Sequence, residues 1–256
     1  MLPVLQLGPL TLRTPGLVLL AGLWLSLELS SRAGARRGID PDCLYNFSFL
    51  VVLVGVAGAR LTFVLANLGL YTRITPWTRA LGAAFSLSPG TEIGWAGALA
   101  AAGVAALLAW RWALPPLDLA DAFAPGIALM ALSIGLAALL RGDMLGAPAA
   151  VPWAIELSGA ARHPVQAYFM LVAAAALALA WRLDRAPARP GPLGQPGAVA
   201  QVVVMVLAAG LLAIDPLRAA SAVIGPGLRV ASVAALAVLV ADLALFAARA
   251  PVDEGA

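Results

Sequence analysis

The stretch VVLVGVAGARLTFVLANLGL, residues 51–70, decides the fold class, because it is long and apolar and yet contains an arginine. At a rise of 1.5 Å per residue, about 20 mainly apolar residues are enough to cross the hydrocarbon core of a bilayer. A charge at that depth is costly, so we expect Arg60 to face the interior of the helix bundle. The preceding Gly55 and Gly58 are expected to let a neighbouring helix or a lipid headgroup come close.

The composition of the whole chain agrees with a membrane protein. Of 256 residues, 62% are apolar and 11% are charged, whereas a soluble domain is about half apolar and about a quarter charged. A single cysteine, Cys43, excludes an intramolecular disulfide and a cysteine-rich metal site. The first basic residue is Arg13, so the N-terminus does not resemble a cleaved signal peptide. Nucleic-acid binding finds no support in the sequence.

The length criterion predicts about seven spanning helices and an all-α polytopic membrane protein. The predicted spans are 15–31, 43–69, 92–110, 118–140, 164–181, 197–214 and 227–247. The segment RLDRAPARPGPLGQPG, residues 182–197, is too rich in Pro and Gly to be helical. No internal repeat is found and no room remains for a soluble domain, so residues 1–256 are predicted to form a single transmembrane domain.

The placement of arginine predicts the orientation of the helices. Arginines follow the first, third, fifth and seventh spans: Arg32, Arg36, Arg37, Arg111, Arg182, Arg185, Arg189 and Arg249. By the positive-inside rule this side is cytoplasmic, so the N-terminus is expected outside and the C-terminus inside. The outer side keeps Arg13, Arg73, Arg79, Arg141, Arg162 and Arg218. Arginines on the side disfavoured by the positive-inside rule are candidates for a functional role at the outer face. We expect Arg73, however, to lie on a solvated loop.

Two polar clusters on the outer side are candidates for chemistry. Residues 141–169 contain Arg141, Asp143, Glu156, Arg162, His163, Gln166 and Tyr168. His163 is the only histidine, and without further ligands it does not predict a zinc site, so we expect neither metal nor cofactor. Gln166 and Tyr168 are expected to form a polar patch at the mouth of the fifth span. The second cluster is Asp215 and Arg218, whose spacing allows an ion pair on one helical face.

Tryptophans near the predicted helix ends are typical of an aromatic belt. They are Trp77, Trp110, Trp112, Trp153 and Trp181. We interpret all five as interfacial anchors.

Seven segments of the chain resemble the bacterial prolipoprotein diacylglyceryl transferases. They are LGPLTLRTPGLVLLAG (7–22), GARLTFVL (58–65), DAFAPG (121–126), RGDMLGAP (141–148), RHPVQAY (162–168), PGAVAQ (196–201) and IDPLR (214–218). RHPVQAY is the most specific of them, since it is similar to the family's R-H-P-S-Q-L-Y. Several family positions carry other residues here: Pro15 for a Tyr, Gly94 or Trp95 for a His, and Gly135, Ala138 and Leu211 for an Arg, an Asn and an Arg.

The resemblance implies a multi-pass protein of the bacterial inner membrane that uses two substrates. A diacylglyceryl group would move from phosphatidylglycerol to the thiol of a lipobox cysteine in a pre-lipoprotein signal peptide, and glycerol phosphate would leave. Arg60, Arg141 and Arg218 are expected to grip the phosphate in one shared space. Asp143 or His163 is the expected base. The resemblance places Gly146, Arg162, Gln166, Tyr168 and Asp215 at the substrate-binding site.

Two other functions stay open from the sequence. The replaced family residues allow a catalytically inactive paralogue that binds phospholipid or lipoprotein signal peptides. A small-molecule transporter is the third hypothesis. Many transporters have interrupted helices at corresponding positions of two repeated halves, and this sequence lacks such a pair.

Overall fold

A computed structural model describes residues 4–7, 10–85, 94–157, 159–186, 191–225 and 227–249. Seven helices in this part are long and apolar enough to cross a membrane, which confirms the predicted number of spans. They are α1 (Thr14–Ala35), α2 (Pro41–Ala66), α5 (Gly94–Arg111), α6 (Pro116–Arg141), α7 (Val165–Asp184), α8 (Ala198–Ile214) and α9 (Val230–Ala248). The protein is therefore an all-α multi-pass membrane protein.

Short elements connect these helices. Two small helices, α3 (Leu68–Tyr71) and α4 (Trp77–Phe85), follow α2. Three antiparallel hairpins pair β1 (Val4–Leu7) with β2 (Leu10–Arg13), β3 (Ile155–Leu157) with β4 (Ala160–Arg162), and β5 (Val223–Ile224) with β6 (Leu228–Arg229). Single 3-10 turns lie at Pro192–Gly194 and Asp215–Leu217.

The chain divides into two compact units, of which the larger comprises residues 1–38 and 117–256. Its core is built from small side chains of α6, α7 and α8, namely Ala124, Ala128, Ala176, Ala180, Val199 and Val203. Small residues let helix backbones approach closely where lipid supplies no hydrophobic drive for association. Helix α1 packs on α6 in the same way, because Gly22 lies against Ser133 and Gly126 against Ser30.

The end of this unit at which α1 and α7 finish is closed by buried charges. Arg36 and Arg37 of the chain after α1 both donate to the Asp184 carboxylate, whose side chain is 1% exposed. Asp121 of α6 accepts from the backbone N–H groups of Gly197 and Ala200 at 2.8 Å each, which caps the start of α8. Four helices are thus joined at one end by ion pairs and a cap.

The smaller unit comprises residues 39–116 and consists mainly of α2 packed on α5. Gly55 lies against Ala101 and Gly58 against Ala100, so the expected close approach is made by a neighbouring helix. Arg60 is only 8% exposed, in agreement with the expectation that it avoids lipid. The predicted span 43–69 was wrong at its far end, because α2 ends at Ala66 and the chain continues into α3 and α4.

Candidate active site

The candidate site is organised by a three-stranded backbone ladder at the end of the larger unit where α6 finishes and α7 begins. Residues 145–149 run between two other segments. On one side the Ala147 N–H donates to the Leu217 carbonyl at 2.7 Å, and the Ala219 N–H donates to the Leu145 carbonyl at 2.8 Å. On the other side Ala147 accepts from the His163 N–H at 3.1 Å. The ladder therefore joins the loop after α6 to the segments before α7 and after α8.

Two glycines make this loop possible. Gly142 ends α6 in a left-handed conformation with φ of 74°, and the next N–H, of Asp143, reaches back to the Ala138 carbonyl. This is the Schellman arrangement, in which glycine is favoured. Gly146 lies so close to the His163 carbonyl that an added Cβ would overlap it. Gly146, expected at the substrate site, is thus required here by the contact between two strands.

Asp215 is the most buried charged group of the site, at 2% exposure. Its carboxylate accepts from the Ser221 hydroxyl at 2.5 Å, the Ser232 hydroxyl at 2.7 Å and the Arg218 guanidinium at 3.2 Å. The ion pair expected from the spacing of Asp215 and Arg218 is therefore present. Because three donors converge on it, Asp215 orients Arg218 and the start of α9 and does not open to a ligand itself.

Arg218 is only partly used by Asp215, and its side chain is 27% exposed. Its Nε is buried and finds no hydrogen-bond partner among the described residues. Arg229 covers the other side of the turn by donating to the carbonyls of Asp215 and Arg218. A buried donor without a partner is costly unless a ligand or water completes it.

Arg141 and Asp143 lie at the exposed rim of the ladder. Their side chains form an ion pair with 2.5 Å between Nε and Oδ2, and they are 41% and 55% exposed. Gln166 supports the same turn from its buried side, because its Nε2 donates to the Asp143 carbonyl. Gln166 is 0% exposed, so its expected place in a polar patch at the mouth of α7 was wrong. It supports the backbone that carries Asp143.

Arg162 has a similar supporting position. Its Nε donates to the Leu157 carbonyl at 3.2 Å and its Nη1 donates to the Gly146 carbonyl at 3.0 Å. These bonds tie the β3–β4 hairpin to the ladder. The geometry thus favours a structural role for Arg162, whereas direct substrate contact stays a prediction.

His163 belongs to a short chain of side-chain hydrogen bonds. The indole N–H of Trp153 donates to the Tyr168 hydroxyl at 2.6 Å, and this hydroxyl lies 3.2 Å from Nδ1 of His163. Because an indole only donates, the hydrogen of Tyr168 is available to Nδ1. With Nδ1 as the acceptor, the ring hydrogen of His163 is on Nε2. A hydrogen on Nε2 suits donation to an anion better than removal of a proton.

Arg60 lies in the smaller unit and is described apart from this site. Its Nε donates to the Ala84 carbonyl at 2.7 Å, and its Nη2 donates to the Ala83 carbonyl at 2.6 Å and contacts the Tyr71 hydroxyl at 3.2 Å. These bonds support a role in holding α4 more strongly than a grip on phosphate. The shared space of Arg60, Arg141 and Arg218 remains a prediction.

Sequence reasoning missed four residues of the site. Trp153 was expected only as an anchor in the aromatic belt, yet it donates to Tyr168. Arg229 fell inside the predicted last span, 227–247, whereas it precedes α9 and donates to the carbonyls of another turn. No sequence pattern points to Ser221 or Ser232, because only the fold brings their hydroxyls to Asp215.

Comparisons with known proteins point to one family. The model of the prolipoprotein diacylglyceryl transferase family matches residues 3–248. A phosphatidylglycerol–prolipoprotein diacylglyceryl transferase of Thermosynechococcus vestitus is 27% identical over 91% of this chain and 86% of its own. The protein of that name from Frankia alni is 30% identical over 98% of this chain and 67% of its own. The protein of that name from Mycobacteroides abscessus is 33% identical over 60% of this chain and 44% of its own. The match thus spans less than half the length of that relative.

Proposed function

Because the chain belongs to the prolipoprotein diacylglyceryl transferase family, we propose that it moves a diacylglyceryl group from phosphatidylglycerol to the lipobox cysteine of pre-lipoproteins. The observation that carries the proposal is the clustering of nine expected site residues around one ladder. They are Arg141, Asp143, Gly146, Arg162, His163, Gln166, Tyr168, Asp215 and Arg218. Segments as far apart as residues 141 and 218 are thereby brought to the same end of the larger unit.

The reaction asks for a cationic grip on a phosphate and for a proton acceptor. The cysteine sulfur forms a bond to the terminal glyceryl carbon, while the bond from that carbon to the phosphate oxygen breaks. Glycerol phosphate leaves with one more negative charge, and the thiol proton passes to a base. Positive groups placed where this charge develops lower the barrier.

The charges of the site fit these needs. Arg218 has a buried Nε without a partner in the described part of the chain, and Arg141 lies exposed at the rim. We assign the phosphate to this pair, with His163 donating from Nε2. Asp143 is then the base, since it is the more exposed of the two site aspartates and sits beside Arg141.

Loss of either arginine is expected to weaken headgroup binding and transfer about tenfold or more. A charged hydrogen bond to phosphate contributes ~1.5–3 kcal/mol, and ~1.4 kcal/mol corresponds to tenfold. The measurement is phosphatidylglycerol binding and diacylglyceryl transfer to a synthetic lipobox peptide by purified Arg141→Ala and Arg218→Ala.

Arg73→Ala serves as the matched control, because Arg73 is exposed and lies in the other unit. It is expected to change binding by less than twofold. Equal damage in all three variants would mean that diffuse surface charge attracts the lipid, and the assignment of a phosphate site would be wrong.

Transfer activity of the parent protein separates an enzyme from an inactive paralogue. We expect the chain to sustain growth of a bacterium depleted of its own diacylglyceryl transferase. Binding of phosphatidylglycerol by a folded protein that neither complements nor transfers would favour the paralogue instead.

Trp153→Phe is expected to lower transfer two- to tenfold, because one hydrogen bond contributes ~0.5–1.5 kcal/mol. Tyr168→Phe removes the same chain of bonds and should cost a similar factor. Trp110→Phe, in which an exposed tryptophan of α5 is replaced, is the control. Transfer by Trp153→Phe equal to that of the parent protein would contradict this role.

The orientation that we propose is N-terminus outside and C-terminus cytoplasmic in the bacterial inner membrane. The ladder then faces outward, where lipobox cysteines emerge. A reporter fused at Gly191 should behave as cytoplasmic, and one at Ala160 should behave as external. The reverse pattern would overturn the orientation and, with it, the outer placement of the site.

A further inference from the structure

Helix α4 carries an apolar stripe that the membrane-spanning helices do not cover. Trp77, Leu81 and Phe85 recur every four residues, so they lie on one face of this nine-residue helix. They are 70%, 48% and 82% exposed. Nine residues are too few to span a bilayer, and such a stripe in water would be unfavourable.

The other faces of α4 are of different character. Arg79 lies on the side of the helix opposite the stripe and is exposed, as is Arg73 in the turn before the helix. Ala80, Ala83 and Ala84 are half-buried and form the packing face. An apolar face, a basic face and a small packing face are typical of a helix that lies in the membrane interface.

Arg60 holds the C-terminal end of α4. The last carbonyls of a helix have no partner within it, and a cation is favourable there. Arg60, buried within α2, supplies hydrogen-bond donors and a positive charge at this end, because it donates to the carbonyls of Ala83 and Ala84. The last turn of one helix is thus capped by a side chain of another.

This cap sets the depth of α4. Arg60 lies six residues before Ala66, the end of α2, which corresponds to about 9 Å along the helix axis. An interfacial helix buries its apolar face about 5–10 Å into the boundary between headgroups and acyl chains. Leu61 and Leu65 of α2 are more than half exposed, so the lipid-facing surface of α2 continues towards this level.

We propose that Trp77, Leu81 and Phe85 insert into the headgroup–acyl boundary of the bilayer, and that Arg60 is the positioning residue that holds them there. The occupant of the stripe is lipid, because Arg60 holds α4 against α2, and the turns of α2 that follow Arg60 carry the exposed side chains of Leu61 and Leu65. The contact does not depend on transfer activity.

The test places a fluorescent label at Leu81→Cys in the full-length protein with Cys43→Ala, reconstituted into phosphatidylcholine vesicles. Quenchers attached at the 5 and 12 positions of the acyl chain report depth, and iodide reports exposure to water. We expect the label at Leu81 to be quenched at least twofold more by the 5-position quencher than by iodide. A label at Arg79→Cys, on the opposite face of the same helix, should show the opposite order. Iodide quenching of Leu81, or shielding from all quenchers, would overturn the contact with lipid.

The role of Arg60 is tested by Arg60→Met in the same labelled protein. Loss of the cap should move the label at Leu81 towards water and at least halve the lipid quenching, whereas Arg73→Met should not. An unchanged depth in a folded, monodisperse Arg60→Met protein would overturn the positioning role. Failure of Arg60→Met to fold leaves the comparison of Leu81 with Arg79 as the deciding measurement.

Discussion

Asp184→Ala is expected to lower the free energy of unfolding by about 3–5 kcal/mol, one of the two largest effects that the structure predicts. The carboxylate is 1% exposed and accepts from both Arg36 and Arg37, so its removal leaves Arg37 with only the more distant Asp121 carboxylate, at 3.8 Å. Arg37 is the more affected of the two, because its side chain is 15% exposed. The measurement is unfolding of the purified protein in mixed micelles by titration with dodecyl sulfate.

Glu28→Ala is the matched control for this experiment. Glu28 pairs with Arg32 one helical turn away at 2.6 Å, but both side chains are open to solvent. Exposed pairs at this spacing contribute about 0.3–0.5 kcal/mol, so loss of this pair should cost much less than Asp184→Ala. Equal losses in the two variants would show that the pairs around Asp184 do not hold α1 to α7.

The spanning helices could be predicted because bilayer thickness imposes one length on all of them. Boundaries of α6, α7 and α8 fall within three residues of the prediction. Helix α4 was not predicted, because it is only nine residues long. In the sequence, its three apolar stripe residues cannot be told from the end of a spanning helix or from a loop. Its nature depends on where α2 ends, which hydropathy alone does not determine.

The ion pairs at the closed end of the larger unit could not be predicted either. The count of arginines assigned Arg36 and Arg37 to the same side of the membrane, but it says nothing of their partner. Their partner Asp184 is almost 150 residues away in sequence, and no pattern relates the two segments. Helical periodicity reports only contacts three or four residues apart.

The sequence named residues that the structure brings together around the ladder, but it did not predict their supporting contacts. Arg162 and Gln166 stand in the segment that most resembles the family, and this suggested direct contact with substrate. The structure shows both donating to backbone carbonyls of the ladder loop. A polar residue that supports a loop and one that binds a ligand look alike in sequence, because the difference lies in which segments pair.

Gly146→Val tests the ladder most directly, and we expect it to reduce transfer about 100-fold while the seven helices remain. A Cβ at this position would overlap the carbonyl of His163, so the strand pair must separate. Arg218 is paired with Gly146 on the other side of the loop and would shift with it. A misplacement of ~1 Å in catalytic groups costs about 100-fold.

Gly16→Val, in α1, provides the control, since nothing lies within 4 Å of an added Cβ there. It should retain transfer within twofold of the parent protein. Helix content by circular dichroism should be the same in both variants, because Gly146 lies outside the spanning helices. If Gly146→Val keeps full activity, the close contact between residue 146 and His163 does not position the catalytic groups, and the site must be organised by the Asp215 cluster alone.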